Sequence, residues 1–127
     1  MKREKLGAVR HSPRDSVDVI HIEHPLDVVR LTTKELQAVC PVTGQPDIYE
    51  CVIEYEPKGA VIETKSLKFY LWQFRDVGIF AEDLAHRIAS DLFRDVNPAW
   101  IRVGLTQNVR GGIVLHVEKT IEEEEEL

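Results

Sequence analysis

Several features that would place this chain in a well-known functional class are absent from its 127 residues. No apolar run approaches the ~20 residues that a membrane-spanning helix needs. Neither a G-x-G-x-x-G nor a G-x-x-x-x-G-K-[ST] motif is present, which excludes a Rossmann dinucleotide turn and a P-loop. The H-E-x-x-H motif of zinc proteases and the G-x-S-x-G motif of serine hydrolases are absent as well.

Cysteine is scarce, and basic charge is not in excess. Cys40 and Cys51 are too few for a disulfide framework, and no second Cys or His at ligand spacing predicts a zinc site. The formal net charge is −6, but the five glutamates of residues 122–126 account for most of it and leave about −1 for the rest. A nearly neutral body argues against a binder of duplex nucleic acid.

The length is that of one domain. We expect a flexible N-terminal arm over residues 1–16, a single domain over residues 17–120, and an acidic tail over residues 121–127 that acts as a solvated end. Because no apolar segment follows the basic residues at the N-terminus, we expect no secretory signal and a cytoplasmic location.

Alternation and turn residues predict the strands. Residues 16–23 and 28–32 are rich in β-branched side chains and predict two short strands. Residues 57–59 have turn chemistry and predict that the chain returns as a strand over residues 60–64. A strand over residues 48–55 is predicted to place four apolar side chains on one face: Tyr49, Cys51, Ile53 and Tyr55. Strands over residues 100–105 and 112–118 follow, the latter with Ile113, Leu115 and Val117 on one face.

Two helices are predicted between these pairs of strands, over residues 66–75 and 80–93. The second has apolar residues at every fourth position, namely Phe80, Leu84, Ile88 and Leu92. From residue 48 onward the order is therefore ββααββ, which predicts an α+β fold in which two helices pack on one face of an antiparallel sheet. Because so small a sheet exposes its edges, we also expect association with other copies of the chain.

Cys40 is the first candidate for chemistry. It opens residues 40–47, Cys-Pro-Val-Thr-Gly-Gln-Pro-Asp, whose prolines and glycine predict a loop. A thiolate is a strong nucleophile, and Asp47 could donate a proton to whatever the thiolate attacks. A lone cysteine is also often a small buried hydrophobe, so the residues alone leave both roles open. Cys51, on the apolar face of its strand, is predicted to be structural.

A second candidate is the segment of residues 63–70, Glu-Thr-Lys-Ser-Leu-Lys-Phe-Tyr, which joins a strand to a helix. The free backbone amides of a helix start favour anions, and Lys65 and Lys68 lie one turn apart, where they could meet phosphate. A capped helix with solvated lysines is equally compatible with the pattern. Glu82 lies at the start of the second helix, where the helix dipole favours a negative charge. Arg110 precedes two glycines and could face an anion or simply form part of a turn.

Together, these segments resemble a known family. The likeness is carried by residues 40–47, residues 63–75, Gly78, Phe80, Glu82, Asp83 and residues 110–112, and it extends over about residues 30–117. These segments are similar to those of the NADPH-dependent 7-cyano-7-deazaguanine reductases, the nitrile reductases of queuosine biosynthesis, also called the QueF family. The resemblance implies a tunnelling fold and a homo-oligomeric ring with sites at subunit interfaces.

The resemblance also implies roles for individual residues. Cys40 matches the nucleophile that forms a covalent thioimide with the nitrile, and Asp47 matches the acid that protonates the nitrile nitrogen. NADPH is the implied cofactor, with Lys65, Lys68 and Arg110 in the region that holds its phosphates, and no metal is implied. The positions that match the substrate pocket are Ile62, Glu63, Thr64, Ala81 and Glu82, with Glu82 pairing with N–H groups of the deazaguanine ring.

Two alternatives remain open at this point. One is the archaeal relative that attacks the same thioimide with ammonia and forms an amidine on tRNA in archaeosine synthesis. That branch lacks the lysine-bearing signature, so Lys65 and Lys68 favour the reductase, whereas Ala81, where the family usually has His, keeps the amidine-forming branch under consideration. The other alternative is a non-catalytic tunnelling-fold module that binds a purine or pterin and forms no covalent adduct.

Overall fold

The computed structural model describes residues 12–124, so most of the expected arm and the last three residues of the expected tail lie outside the described residues. The strands are β1 (Val19–His21), β2 (Val29–Val39), β3 (Pro46–Glu56), β4 (Ala60–Ile62), β5 (Trp100–Gln107) and β6 (His116–Glu122). The helices are α1 (Thr64–Trp72) and α2 (Ala81–Val96). Within the described residues, no helix is long and apolar enough to cross a membrane.

Four strands form one antiparallel sheet in the order β2-β3-β5-β6. Burial alternates along β3, as side chains that point to opposite faces require. The four side chains predicted to share a face are at most 1% exposed: Tyr49, Cys51, Ile53 and Tyr55. They belong to one core cluster with the buried side chains of α1 and α2. The predicted α+β arrangement, with two helices on one face of the sheet, is therefore confirmed.

The strand predicted over residues 60–64 is present as β4, but it does not pair with β3. β4 leaves the main sheet and pairs with β1 in a separate two-stranded sheet, with Val19 opposite Ile62. The hairpin partner of β3 is β2, which extends the predicted strand at residues 28–32 as far as Val39. A break in register between Thr33 and Leu36 interrupts the alternation of β2. A bulge of this kind hides the continuation of a strand from a pattern of period two.

The helices are shifted from their predicted limits. α1 begins at Thr64 rather than residue 66, because the side chain of Glu63 accepts hydrogen bonds from the first amides of the helix. α2 continues to Val96 and ends at Asn97, which adopts a left-handed conformation with φ 53°. Phe80 does not belong to the buried face of α2, since it is the N-cap residue and 49% exposed. The other three predicted apolar positions, Leu84, Ile88 and Leu92, are fully buried.

The last strand lies four residues later than predicted at both ends. Ile113 is outside β6 and 71% exposed, whereas Leu115, Val117 and Ile121 pack against the core. Residues 121 and 122 of the expected acidic tail pair with Ile101 and Trp100 of β5. The apolar side chain of Ile121 extends the strand into the segment that charge alone assigned to the tail.

Candidate active site

Cys40 lies directly after β2, in the turn that leads to β3. The Cys40 amide donates to the Gln45 carbonyl (2.8 Å), and the Gly44 amide donates to the Cys40 carbonyl (2.8 Å). Gly44 closes the turn with φ 75°, a conformation that glycine adopts without strain. The loop predicted over residues 40–47 is two residues shorter, because β3 already begins at Pro46. The thiol is partly exposed at the start of this turn.

The turn makes the Cys40 thiol unusually acidic. Its pKa falls from 9.0 to about 7, chiefly through a hydrogen bond from the Thr43 side chain, then through the amides of Thr43 and Val42, with a smaller effect of Arg110. Cys51 behaves oppositely, because burial raises its pKa to about 12. At neutral pH Cys40 therefore carries far more thiolate than Cys51, which belongs to the core.

Asp47 lies close to this thiol in the hairpin, buried at the start of β3 with 4% exposure. Arg110 Nη1 is 3.0 Å from Asp47 Oδ1, and Arg110 Nη2 donates to Gln45 Oε1 (3.2 Å) and to the Pro46 carbonyl (3.4 Å). The ion pair lacks the angle of a hydrogen bond, so Asp47 Oδ1 accepts none from residues 12–124. Buried polar atoms are nearly always hydrogen-bonded, so the charge of this oxygen depends on its ion pair with Arg110. Arg110, expected beside the lysines, instead joins Cys40 and Asp47.

The segment before α2 attaches to the end of β2 next to Cys40. The Val39 amide donates to the carbonyl of residue 77 (2.9 Å), and the Val39 carbonyl accepts from the amide of residue 79 (3.0 Å), so that Gly78 lies alongside β2. α2 begins three residues after Gly78 and has no side-chain cap. Glu82 is exposed in the first turn of α2, and within the described region its carboxylate forms no hydrogen bond or ion pair. Ala81, its neighbour, is 2% exposed.

Tyr49 and Gln107 complete this group, and the sequence pattern assigned Tyr49 only to the core. The Tyr49 hydroxyl accepts a hydrogen bond from Gln107 Nε2 (3.2 Å) on the adjacent strand. Burial has the largest effect on Tyr49 and raises its pKa. The hydrogen bond from Gln107 lowers the pKa. Among the charged groups, Asp47 and Glu82 raise the pKa and Arg110 lowers it. The hydroxyl is thus within electrostatic range of both carboxylates. The signal available in the sequence was its position, two residues after Asp47 on the same face of β3.

The lysine-bearing segment lies at the other end of the sheet. The Ile62 amide donates to the Tyr55 hydroxyl (2.8 Å), which attaches the end of β4 to the end of β3. Tyr55 is eight residues beyond Asp47 on β3. At ~3.3 Å per residue, these positions are roughly 26 Å apart. One chain therefore does not bring Lys65, at the start of α1, to the Cys40 thiol.

Glu63 has a structural role in the single chain. Its two carboxylate oxygens accept the amides of Ser66 (2.7 Å) and Lys65 (2.9 Å) and cap α1. Partial burial raises the pKa of Glu63, but the hydrogen bonds from Lys65 and Ser66 outweigh it and leave the pKa below 4.5. The Ile62 side chain is 4% exposed and belongs to the core. Thr64, like Lys65, is exposed.

Lys68, one turn further along α1, lines a groove of about 900 Å³ between α1 and β2. Two more cationic side chains, Lys34 and Arg75, line the same groove, and the Arg75 guanidinium lies 5.5 Å from the centre of the Trp72 ring. Three positive charges around an aromatic surface fit a phosphorylated nucleotide. Over residues 12–124, no cluster of three His, Cys, Asp or Glu side chains could hold a metal ion.

Comparison with known proteins identifies the family. A family model described as "QueF-like protein" matches residues 46–126. The chain belongs to this family. It is 43% identical over 91 residues to the protein named NADPH-dependent 7-cyano-7-deazaguanine reductase of Syntrophus aciditrophicus (strain SB), a match that covers 72% of this chain and 65% of that protein. It is 39% identical over 124 residues to the protein of the same name from Frankia casuarinae (strain DSM 45818 / CECT 9043 / HFP020203 / CcI3), which covers 98% of this chain and 99% of that one.

The QueF-like fold is also found among solved structures. The chain matches the archaeosine synthase QueF-Like in its apo form with a TM-score of 0.72 and 28% identity, over 76% of this chain and 95% of that one. The expected tunnelling fold is thereby confirmed. The chain spans just under two thirds of the Syntrophus relative and nearly all of the Frankia relative.

This QueF-like chain divides the predicted site residues into two groups. One group meets at the turn between β2 and β3 and consists of Cys40, Asp47 and Arg110, with Ala81 and Glu82 at the adjoining end of α2. The other group follows β4 and consists of Ile62, Glu63, Thr64, Lys65 and Lys68. In this second group Ile62 meets Tyr55 near the end of β3, and Lys68 lines the groove between α1 and β2.

Proposed function

We propose that this chain reduces the nitrile of 7-cyano-7-deazaguanine to 7-aminomethyl-7-deazaguanine with NADPH, a step in queuosine biosynthesis and hence in tRNA modification. The observation that supports the proposal is a partly exposed thiol, with a pKa of about 7, that is joined through Arg110 to the buried carboxyl group of Asp47. The names of the relatives from Syntrophus and Frankia support the same reaction.

The first step uses Cys40 and Asp47. The Cys40 thiolate attacks the nitrile carbon and forms a carbon–sulfur bond, while one π bond of the nitrile opens toward nitrogen. The nitrogen takes a proton from the Asp47 carboxyl group, so that a neutral thioimide results. Arg110, whose Nη1 is 3.0 Å from Asp47 Oδ1, stabilises the carboxylate left after this transfer.

Substrate recognition falls to the carboxylate of Glu82. It has no partner in the described part of the chain, so its two oxygens are available to adjacent N–H donors of a deazaguanine ring. Charge-assisted hydrogen bonds of this kind discriminate strongly against rings that lack the donors. We assign Ala81, the neighbour of Glu82, to the same pocket from its place in the family motif.

The cofactor assignment rests on the cationic segment of α1. Two molecules of NADPH, bound one after the other, would each supply one of the two hydrides that convert a nitrile to a primary amine. Lys65 and Lys68 are the residues we assign to its phosphates, since Lys68 lines the cationic groove described above. Arg110 is better placed to act on Asp47 than on the cofactor.

A ring of subunits would unite the two groups of residues. We assign Ile62, Glu63, Thr64, Lys65 and Lys68 to the site of a neighbouring subunit, because Ile62 meets Tyr55, which lies eight residues, or roughly 26 Å, from Asp47 along β3. The edges β2 and β6 leave backbone N–H and C=O groups unpaired, which supports edge-to-edge association into a closed homo-oligomer. We place the enzyme in the cytoplasm, where thiols such as Cys40 remain reduced.

The amidine-forming reaction is the second candidate, supported by the likeness to the archaeosine synthase. Both reactions begin with the same thioimide, and retention of Lys65 and Lys68 favours reduction. A binding module without catalysis has less support, because nothing in such a role requires an acidified thiol.

The test is NADPH absorbance over time, with 7-cyano-7-deazaguanine added halfway through. We expect absorbance to fall only after the nitrile is added, and to stay constant with a Cys40→Ala variant whose circular dichroism matches the wild type. A Cys51→Ala variant should retain turnover and serves as the matched cysteine control.

A constant trace for the wild type would overturn the reductase. The intact mass of that sample would then separate the alternatives: an adduct on Cys40 indicates the amidine-forming branch, and an unmodified mass indicates a binding module.

A further inference from the structure

We infer that Arg75 determines the specificity for the cofactor, and that its guanidinium, held against the Trp72 ring, binds the 2′-phosphate that distinguishes NADPH from NADH. This inference rests on the proposed function, since it takes the groove between α1 and β2 as the cofactor site. Neither the sequence pattern nor the family resemblance gave Arg75 or Trp72 a role of its own.

The first support is that the charge of Arg75 is not compensated. Among residues 12–124, Arg75 is the only arginine without an ion pair to a carboxylate. The other arginines in this range are all paired, namely Arg14, Arg30, Arg87, Arg94, Arg102 and Arg110. The Arg75 side chain is exposed, and its guanidinium lies 5.5 Å from the centre of the Trp72 ring. Its N–H donors are therefore available to an anion that enters the groove.

The second support is the distribution of charge around the groove of about 900 Å³. Among the described lining residues, α1 and the turn after it contribute two cations, Lys68 and Arg75, and no carboxylate. Across the groove, β2 contributes Lys34 and Glu35, whose charges offset each other. The net positive charge thus lies on the side of α1, next to the Trp72 ring.

The third support is the spacing of the two cations on that side. Lys68 and Arg75 are seven positions apart, which is two helical turns, so that both face the groove. The chain continues to turn after α1, because the Arg75 amide donates to the Trp72 carbonyl (3.1 Å). At ~1.5 Å per residue, the two positions are about 10 Å apart along the helix axis. NADPH carries phosphate in two separate places, the diphosphate bridge and the 2′ position of the adenosine ribose.

The fourth support is the chemistry of the guanidinium. Its planar fork donates two parallel hydrogen bonds to phosphate oxygens and stacks on aromatic rings, which the ammonium of a lysine cannot do as well. In other dinucleotide-binding folds an arginine accommodates the 2′-phosphate. Contact with Trp72 restricts the Arg75 side chain before the ligand arrives, so less entropy is lost on binding. We therefore assign the 2′-phosphate to Arg75 and the diphosphate to Lys65 and Lys68.

The experiment measures the Kd of NADPH and of NADH by calorimetry, without the nitrile, so that no hydride is transferred. We expect the wild type to bind NADPH more tightly than NADH. Arg75→Gln should raise the Kd of NADPH about tenfold, as loss of a hydrogen bond to a charged group implies, and should change the Kd of NADH less than about twofold. Lys68→Gln should raise both values, because both cofactors carry the diphosphate.

The matched control is Arg102→Gln. The Arg102 guanidinium also lies over an indole ring, 5.7 Å from the centre of Trp100, but it is 3.8 Å from a Glu54 oxygen and does not line the groove. We expect this variant to leave both Kd values unchanged. Arg75→Lys keeps the charge without the fork and should raise the Kd of NADPH by less than Arg75→Gln does. It replaces Arg75→Gln if that variant does not fold.

Three results would overturn the inference and leave the reductase standing: equal affinity of the wild type for NADPH and NADH, an unchanged Kd of NADPH in the Arg75 variants, or an equal loss of affinity for both cofactors. Absence of NADPH binding by the wild type would instead overturn the cofactor assignment, and the inference with it. Nitrile-dependent loss of NADPH absorbance, measured separately, shows whether the proposed reaction itself takes place.

Discussion

Cys40 and Cys51 show how position in the chain determines the chemistry of one residue type. Cys40 begins a turn whose hydroxyl and amides point at its sulfur, and its pKa is about 7. Cys51 lies mid-strand among apolar side chains, where burial raises its pKa to about 12. A thiolate needs hydrogen-bond donors or positive charge, and the apolar core supplies neither.

Replacement of Thr43 is expected to weaken the Cys40 nucleophile. The Thr43 hydroxyl is the largest influence that lowers the Cys40 pKa, so Thr43→Val should move that pKa from about 7 toward 9.0. Less thiolate is then present at pH 7. The measurement is the rate of alkylation by iodoacetamide from pH 5 to 10, with intact mass spectrometry to confirm a single modification.

Thr33→Val is the control for that series. The Thr33 hydroxyl accepts a hydrogen bond from the Glu35 amide (3.0 Å), just as the Thr43 hydroxyl accepts one from the Gln45 amide (3.2 Å). Thr33, however, lies in the bulge of β2, away from Cys40. Replacement of Thr33 should not change the pH at which the alkylation rate of Cys40 is half of its maximum. A midpoint that does not move in Thr43→Val would show that the backbone amides alone hold the thiolate.

At the scale of secondary-structure elements, α1 depends on its N-cap residue, Glu63, which is also one of the predicted substrate-pocket residues. Glu63 accepts the amides of both Lys65 and Ser66, and the Ser66 hydroxyl donates to the Glu63 carbonyl (2.7 Å) while accepting the Asp18 amide (2.8 Å). These bonds connect the start of α1 to the segment before β1. The helix start is thus fixed before any ligand binds.

Removal of the cap is expected to destabilise the fold. Glu63→Ala should lower the free energy of unfolding by about 1 kcal/mol at pH 7, as loss of an N-cap side chain does. Because the folded-state pKa of Glu63 lies below 4.5, this contribution is fully present above that value and is lost as pH falls through the folded pKa. Urea unfolding at pH 7 and pH 3 would measure both effects.

Glu56→Ala is the corresponding control, because Glu56 is exposed at the end of β3 and caps no helix. It should change the free energy of unfolding by less than about 0.5 kcal/mol. An equal loss in both variants would contradict a capping role for the carboxylate.

At the scale of the whole molecule, Asp47 lies near one end of β3, and Ile62 meets Tyr55 near the other end. A separation of roughly 26 Å along a strand cannot be closed by side-chain motion. The sheet also has two open edges, β2 and β6. Both observations are explained if each site takes its thiol from one subunit and its lysines from the next.

Mixed oligomers test that arrangement. Cys40→Ala alone and a Lys65→Ala, Lys68→Ala double variant alone should each lack nitrile-dependent NADPH oxidation. When the two are unfolded, mixed equally and refolded together, about a quarter of the sites should regain both intact contributions if each site spans one interface. Activity should therefore recover to roughly a quarter of the wild-type value.

The control carries all three substitutions in one chain and is mixed with the Cys40→Ala protein. No site in that mixture contains an intact thiol, so no activity should return. Recovery below a few per cent in the first mixture, with oligomers confirmed by light scattering, would show that the two groups serve separate sites.

The amino-acid sequence by itself determined the local features. Alternation predicted the buried face of β3, apolar spacing predicted the core of α2, and motif spacing predicted Cys40 and Asp47. These features depend on residues close together in the chain, where the periods of strand and helix apply directly. The limits of β6 and the pairing of β4 were missed, because they depend on partners remote in sequence.

Only the tertiary structure decided how distant residues meet. The fold pairs Arg110 with Asp47, 63 positions earlier in the chain, and Gln107 with Tyr49, 58 positions earlier. It also separates Lys65, at the start of α1, from Cys40, after β2. The physical reason is that strand register and the burial of a common core set these distances, and neither is encoded in any one segment.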